Sequence, residues 1–408
     1  MDSFEEFKIS PQILRGANAA GFRRPFPVQS ETIPLLLQGR NVVAQAKAGS
    51  GKTLAFGIPL IQATDSRAKE VQGLILSPTR ELAVQIALEL EKIAAFTEVM
   101  VVTVYGGQSM NVQVDALRRG AQVVVGTPGR IIDHLKRGTL RLGRVRYAVL
   151  DEADTMLDMG FIDDVNFILD RTPPDRQLSL FSATMPPSIV RLSERYMRDP
   201  VTVMIDANEP SAETLSQYYA CVEREGKLEL LLQILAKEEG SAVVFCRTRH
   251  GTIRLARELE RRFVSVAQLH GDLSQNQRDH SMRLFRTSKA DVLVATDVAS
   301  RGIDVRQVGC VVNYDVPEDP VVYFHRVGRT ARAGDVGASY TFVSRDESSD
   351  FARIFRMAKR PIKPLRPEDE RTDFSSAPIR DDRQRGGYRR HNGRGRRGRG
   401  REKWRRYR

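Results

Sequence analysis

The segment Ala46-Lys47-Ala48-Gly49-Ser50-Gly51-Lys52-Thr53 sets glycines, a serine, a lysine and a threonine between an apolar run and a helical pattern. A strand, a glycine-rich loop and a helix start in that order suit phosphate binding. The glycines let backbone N–H groups close on phosphate oxygens, and the helix N-terminus adds partial positive charge. On this reading Ala48, Gly49, Ser50 and Gly51 cradle the phosphates, Lys52 reaches the terminal ones, and Thr53 ligates Mg²⁺. The general pattern has Gly where this chain has Ala46, so a plain Gly/Ser strand-to-helix turn stays open as the alternative. Further on, the apolar run Tyr147–Leu150 ends in Asp151-Glu152-Ala153-Asp154. Carboxylates at the tip of a buried strand suit a hard cation beside a phosphate loop. Asp151 would hold the metal through water, and Glu152 would orient or deprotonate the attacking water. An acidic helix start is the bland alternative.

These groups need strands that end on a common edge. Short β-branched runs alternate with helical patterns along the chain, which predicts stacked βαβ units and mainly parallel sheets in an α/β fold. The first-half runs are Asn41–Ala46, Gly73–Ser77, Val101–Tyr105, Gln122–Gly126, Tyr147–Leu150, Leu178–Phe181 and Val201–Ile205. After a polar, Pro-containing interruption come Ser216–Val222, Ala242–Cys246, Ser265–Leu269, Asp291–Ala295, Cys310–Tyr314 and Ala338–Val343. The expectation is two tandem domains over 1–205 and 214–365, a linker over 206–213 and a tail over 366–408. The tail is Arg/Gly-rich and too polar to fold alone.

Composition narrows the class. Hydrophobic residues make up 41% and charged residues 28% of 408, enough to bury ordinary cores. No apolar run approaches the roughly 18 residues of a membrane span, and the acidic N-terminus is not a secretory signal. Three cysteines without metal-ligand spacing suit a reducing compartment, so a cytoplasmic protein without membrane association is expected. The net charge of +13 is uneven: residues 383–408 hold twelve Arg and one Lys against one Glu, leaving the rest nearly neutral.

The remaining motifs, in order, resemble the DEAD-box RNA helicases of helicase superfamily 2, whose name is spelled by residues 151–154. Phe4 precedes Gly21 by 17 residues, and Gly21-Phe22-Arg23-Arg24-Pro25-Phe26-Pro27-Val28-Gln29 looks like the family's adenine-sensing Q motif. Pro78-Thr79-Arg80-Glu81-Leu82, Gly106-Gly107, Thr127-Pro128-Gly129-Arg130 and Ser182-Ala183-Thr184 follow. The second half supplies Gln275-Asn276-Gln277-Arg278, then Ala295-Thr296-Asp297 running on to Asp304, then His325-Arg326-Val327-Gly328-Arg329-Thr330-Ala331-Arg332. The resemblance spans roughly residues 2 to 362.

It implies two RecA-like domains and an RNA-dependent ATPase using ATP and Mg²⁺. Gln29 would read the adenine edge and Phe4 would stack on its face. Asp304 would contact the ribose. Arg326 and Arg329, three apart, would reach the γ-phosphate from the second domain, whereas Arg332 taken alone reads as a solvated helix face. Ser182 and Thr184 would couple hydrolysis to strand separation. RNA would be held through its backbone by Arg80, Gly107, Thr127, Gly129, Arg130, Arg278 and Thr296, without reading bases. Two departures stand out: Phe26 lies where the family usually has a small polar residue, and Ala331 replaces a common Gly. The tail, with Tyr388, Trp404 and Tyr407 among its arginines, would assist RNA binding; a solubilising or targeting role stays open. The activity expected is local unwinding of short RNA duplexes by a monomer. An ATP-dependent RNA clamp with little turnover and a DNA-directed motor are the alternatives.

Overall fold

Every run read as a strand becomes one in the computed structural model, which describes residues 3–46, 49–205, 215–297, 308–330, 336–358, 360–371 and 374. Ala48, Asp304, Arg332, the expected linker and the tail beyond 374 lie outside the described residues. The first domain holds β1 (Val42–Gln45), β2 (Gly73–Leu76), β3 (Val101–Val104), β4 (Val123–Gly126), β5 (Tyr147–Leu150), β6 (Gln177–Ser182) and β7 (Val201–Met204). They form one parallel sheet in the order β3-β4-β2-β5-β6-β1-β7. Its helices are α1 (Pro11–Ala19), α2 (Pro27–Leu37), α3 (Lys52–Gln62), α4 (Arg80–Ala94), α5 (Met110–Arg118), α6 (Pro128–Lys136), α7 (Ala153–Asp158), α8 (Ile162–Leu169) and α9 (Pro187–Tyr196).

The second domain repeats the plan with β8 (Leu215–Cys221), β9 (Ser241–Phe245), β10 (Val266–Leu269), β11 (Val292–Ala295), β12 (Val308–Asn313), β13 (Gly337–Val343) and β14 (Lys363–Pro364). The parallel order is β10-β11-β9-β12-β13-β8-β14. The helices are α10 (Lys227–Lys237), α11 (Arg249–Arg261), α12 (Gln275–Arg286), α13 (Pro320–Val327) and α14 (Ser348–Met357).

Helices cover both faces, so central strands such as β2, β4 and β5 are buried without alternation, whereas the edge strand β3 alternates. Val123 and Val125 of β4 enter one apolar layer and Val124 the other, all fully buried. Gly16 of α1 lies against the Ile93 carbonyl of α4 with no room for a Cβ, which sets how closely those helices approach. Among the described residues no helix is long and apolar enough to cross a membrane.

The C-terminal boundary needs correction. A tail beginning at residue 366 was expected, yet Asp369 and Phe374 are buried at 0% and 2% exposure. Asp369 accepts from the Cys221 amide at 2.8 Å and from Arg366, and Tyr219 donates to its carbonyl. The Phe374 ring sits 4.8 Å from Phe351 and 5.4 Å from Tyr219, centroid to centroid. The second domain therefore runs at least to Phe374.

Candidate active site and nucleic-acid interface

Parallel strands put all their C-terminal ends on one edge, and strand order decides what sits beside what. In the first sheet β5, β6 and β1 are neighbours, with Leu150 level with Leu180 and Gln45 level with Ser182. The carboxylates after β5, the Ser182–Thr184 turn after β6 and the glycine loop after β1 therefore stand side by side. Gly49 and Gly51 take φ of 79° and 87°, which glycine adopts at no steric cost. Lys52 is buried at the start of α3, its Nζ donating to the Ala46 carbonyl at 3.2 Å.

Gln29 is 1% exposed and braces the loop: its Nε2 donates to the Gly51 carbonyl at 2.8 Å and its Oε1 accepts from the Phe26 amide at 2.9 Å. Each amide atom keeps one further hydrogen-bonding capacity for a base edge. Phe4 does not fit the stacking role. Its ring is 1% exposed and packs in the core beside Phe7, with centroids 5.8 Å apart, because an aromatic this apolar is better buried than left on a loose N-terminus. The exposed aromatic next to the loop is Phe26, which a Cβ on Gly51 would strike.

Asp151 is 3% exposed, and burial pushes its carboxyl up to about 6 against the pull of Lys52. Glu152 adopts φ 49°, ψ 52°, a left-handed conformation that is disfavoured for a residue with a Cβ and is held here at the strand-to-helix turn. Asp154 faces the next strand. Its Oδ2 accepts from the Ala183 amide at 3.1 Å, the Thr184 amide at 2.8 Å and the Thr184 hydroxyl at 2.9 Å. Its own amide donates to Ser182 Oγ at 3.2 Å. Sequence reading singled out Ser182 and Thr184 but left Asp154 without a task; a carboxylate one helical turn from Asp151 was the available signal.

The remaining first-domain ends, β2, β4 and β3, carry the residues expected to touch RNA. Thr79 Oγ1 caps α4 by accepting from the Leu82 amide, which places Arg80 at the first turn. Gly107, at φ 94°, lies against the Arg80 guanidinium, which a Cβ there would displace. Thr127 is the residue before α6, nothing stands over Gly129, and Arg130 donates to the Gln108 carbonyl at 3.1 Å. Across the cleft, Arg80 donates to Gln275 Oε1 at 3.1 Å and Arg278 Nη2 lies 2.9 Å from Glu81 Oε1. Arg80 is pushed down from its ordinary value by burial and by the neighbouring Arg278 and Arg130 charges. Three guanidiniums thus crowd one spot, with Glu81 beside Arg278 and Asp133 beside Arg130. Thr296 is buried at the end of β11 and sits apart from this cluster, its amide donating to the Leu269 carbonyl.

Arg326 requires a second correction. It is 2% exposed and points into its own domain, where Nε and Nη2 bind Asp297 bidentately at 2.6 and 2.8 Å. Nη1 donates to Asn313 Oδ1 at 3.1 Å and the Asp315 carbonyl at 2.8 Å, with the Phe245 ring beneath. A guanidinium bound this way has no reach toward a phosphate. A further layer holds the Asp315 loop: Glu347 accepts from Lys227 at 2.8 Å, from Arg247 at 2.9 Å and from the Val316 amide at 3.0 Å. Arg329 is half-buried just beyond α13.

The chain resembles known proteins along most of its length. Residues 26–192 match the DEAD/DEAH box helicase family and residues 226–334 the helicase conserved C-terminal domain. The DEAD-box ATP-dependent RNA helicase CshA of Geobacillus kaustophilus is 44% identical over 90% of this chain and 79% of its own. CshA of Listeria monocytogenes is 44% identical over 90% and 70%. Among solved structures, S. cerevisiae Dbp5 bound to RNA and ADP BeF3 superposes with a TM-score of 0.82 at 32% identity, covering 91% of this chain and 97% of that one. Mss116p bound to ssRNA and AMP-PNP gives 0.80 at 29% identity, covering 90% and 79%. With two parallel RecA-like sheets and motifs in family order, this chain belongs to the DEAD-box ATP-dependent RNA helicases, a family that hydrolyses ATP.

Proposed function

We propose that this chain hydrolyses ATP in response to RNA and separates short RNA duplexes by closing its two domains on one strand, as a monomer in the cytoplasm. The observation that carries the reading is that Arg80 and Gly107 meet Gln275, and Glu81 meets Arg278, across the cleft, on the edge that also bears the phosphate loop. RNA laid along that edge touches both domains at once, so binding it and closing the cleft are one event. Relatives of the same fold are bound to RNA, which supports an RNA-binding role for this chain.

In this reading Lys52 and the loop amides bind the ATP phosphates, Gln29 reads the base and Phe26 forms the wall that Phe4 cannot. Thr53 and Asp151 offer oxygen donors suited to Mg²⁺, and the raised Asp151 carboxyl is a buried charge that a cation would stabilise. Such an ion supplies charge neutralisation on the phosphates. Glu152 orients the attacking water. With Arg326 withdrawn into the core, the arginines left for the developing γ-phosphate charge are Arg329 and Arg332, which lies outside the described residues. Asp154 carries the state of the carboxylate strand to the Ser182–Thr184 turn.

Energetics favour local opening. Stacking averages about 1.4 kcal/mol per step, so five or six steps cost roughly 8 kcal/mol, and a micromolar interaction supplies about as much. Closure on one strand then suffices without travel along the duplex. The test is ATPase turnover with RNA, with DNA and with neither, beside unwinding of duplexes from ten to forty base pairs. RNA-selective stimulation and a yield falling steeply with length are expected. A flat yield contradicts local opening, and tight RNA binding with negligible turnover would favour the clamp.

A further inference from the structure

The outer flank of the second domain carries a feature that the cleft does not use. Helix α11 presents His250, Arg254, Arg257 and Arg261 at spacings of four, three and four, which places them along one exposed face. The segment 249–262 holds five arginines against two glutamates, on a body whose charge outside the tail is close to zero. Glu258 pairs with Arg261 at 2.7 Å and Arg262 with Glu229 at 3.5 Å. Together His250, Ile253, Arg254, Arg257, Glu258 and Arg261 line a shallow furrow of about 270 Å³.

At the far end stands Phe263. It is 98% exposed and takes φ 61°, at the turn where its amide bonds to the Glu260 carbonyl and the Val264 amide to Leu259. Glycine takes that conformation freely, whereas a residue with a Cβ is strained in it. A phenylalanine that is both strained and wholly in water contributes nothing to this fold. Exposed rings beside guanidiniums are the ingredients for binding single-stranded nucleic acid: cations for the backbone and a face for a base.

We infer that the α11 face and Phe263 form a second RNA-binding surface, which takes the strand after it leaves the cleft. The helix starts at the right place. Arg249 at its first position bonds Asp272 at 2.7 Å, and the chain then passes directly into α12, whose Gln275 and Arg278 meet the first domain. From there α11 runs about 20 Å outward to Phe263. The density of cationic side chains favours a polyanion over a protein ligand, and a long RNA gains contacts that a short one cannot reach. This rests on the RNA reading of the cleft.

The test uses the full chain, a labelled 10-mer and a labelled 25-mer of polyuridine, and anisotropy with a non-hydrolysable ATP analogue. In wild type the 25-mer binds more tightly than the 10-mer. Arg254→Gln with Arg257→Gln weakens only the 25-mer. Because the double variant neutralises two fewer phosphates, the ratio of its Kd to that of wild type shrinks about sevenfold between 50 and 200 mM salt. Phe263→Gly relieves strain, so its melting temperature stays at or above wild type while its 25-mer affinity falls at least about fivefold. Unchanged 25-mer affinity in both variants overturns the surface and leaves the face to an acidic protein; equal losses for the two lengths overturn it as an effect transmitted through the domain. A wild type that binds neither RNA instead defeats the cleft reading.

Discussion

Arg326 and Arg329 stand three residues apart, and packing sends them to different tasks. Arg326 makes four hydrogen bonds inside its domain, and its loss would leave Asp297 and Asp315 with unmatched groups. Arg326→Ala should cost about 3–5 kcal/mol of stability. Arg326→Lys should rescue it poorly, since the Asp297 contact is bidentate. Arg329→Ala should instead cost less stability than Arg326→Ala and lower kcat by roughly a thousandfold. Thermal melts beside steady-state ATPase separate the two. The family resemblance paired these arginines; neither it nor their spacing says which of them finds Asp297 and Asn313 from distant strands. Phe4 was opaque for the same reason, because its register to Gly21 is visible in sequence and its burial against Phe7 is not. Asp151 gives a pH signature. Its folded carboxyl titrates near 6, above the ordinary 3.8, so the folded state holds the proton more tightly than the unfolded chain. That contribution is fully present below the unfolded value and is lost as pH rises through about 6. In nucleotide-free, Mg²⁺-free protein, Asp151→Asn should therefore stabilise at pH 7 by up to about 3 kcal/mol, with little gain near pH 4, while abolishing hydrolysis. Chemical denaturation in chelator at the two pH values checks this.

The turn between β6 and α9 is the element through which nucleotide and RNA sites can sense each other. Asp154 holds it with three hydrogen bonds to residues 183 and 184, and Gln45 of β1 donates to the Ala183 carbonyl at 3.2 Å. Asp154→Asn preserves shape but weakens the accepting charge. The expected outcome is duplex separation per ATP reduced about tenfold with a smaller loss of RNA-stimulated ATPase, measured by running both assays on one preparation. Equal losses would place Asp154 in hydrolysis alone. The strands that carry such turns were legible because parallel strands here are buried on both faces, leaving unbroken apolar runs such as Tyr147–Leu150. The sheet order β5-β6-β1 was not legible. Register between strands far apart in sequence depends on packing, and no local pattern records that Ser182 lies level with Gln45.

At the scale of the whole chain, two features set limits on dissection. The C-terminal segment is part of the second domain through Asp369 and Phe374, which polar flanking sequence disguised as tail. Truncation after Phe374 should keep the melting temperature and maximal ATPase while raising the RNA concentration for half-maximal rate. Truncation after Leu365 should lower the melting temperature sharply, since it strips the partners of Tyr219, Cys221 and Phe351. The second feature is the cross-domain contact itself, which ties the α4 start to α12. If closing the cleft drives the chemistry, Glu81 and Arg278 act as a pair rather than as separate charges. The most direct measurement is a double-mutant cycle on Glu81→Gln and Arg278→Gln, read in RNA-stimulated kcat. A coupling of at least about 1 kcal/mol is predicted, with the double variant no worse than the poorer single one. Strictly additive losses would mean that the two domains do not meet there during turnover, contradicting the account.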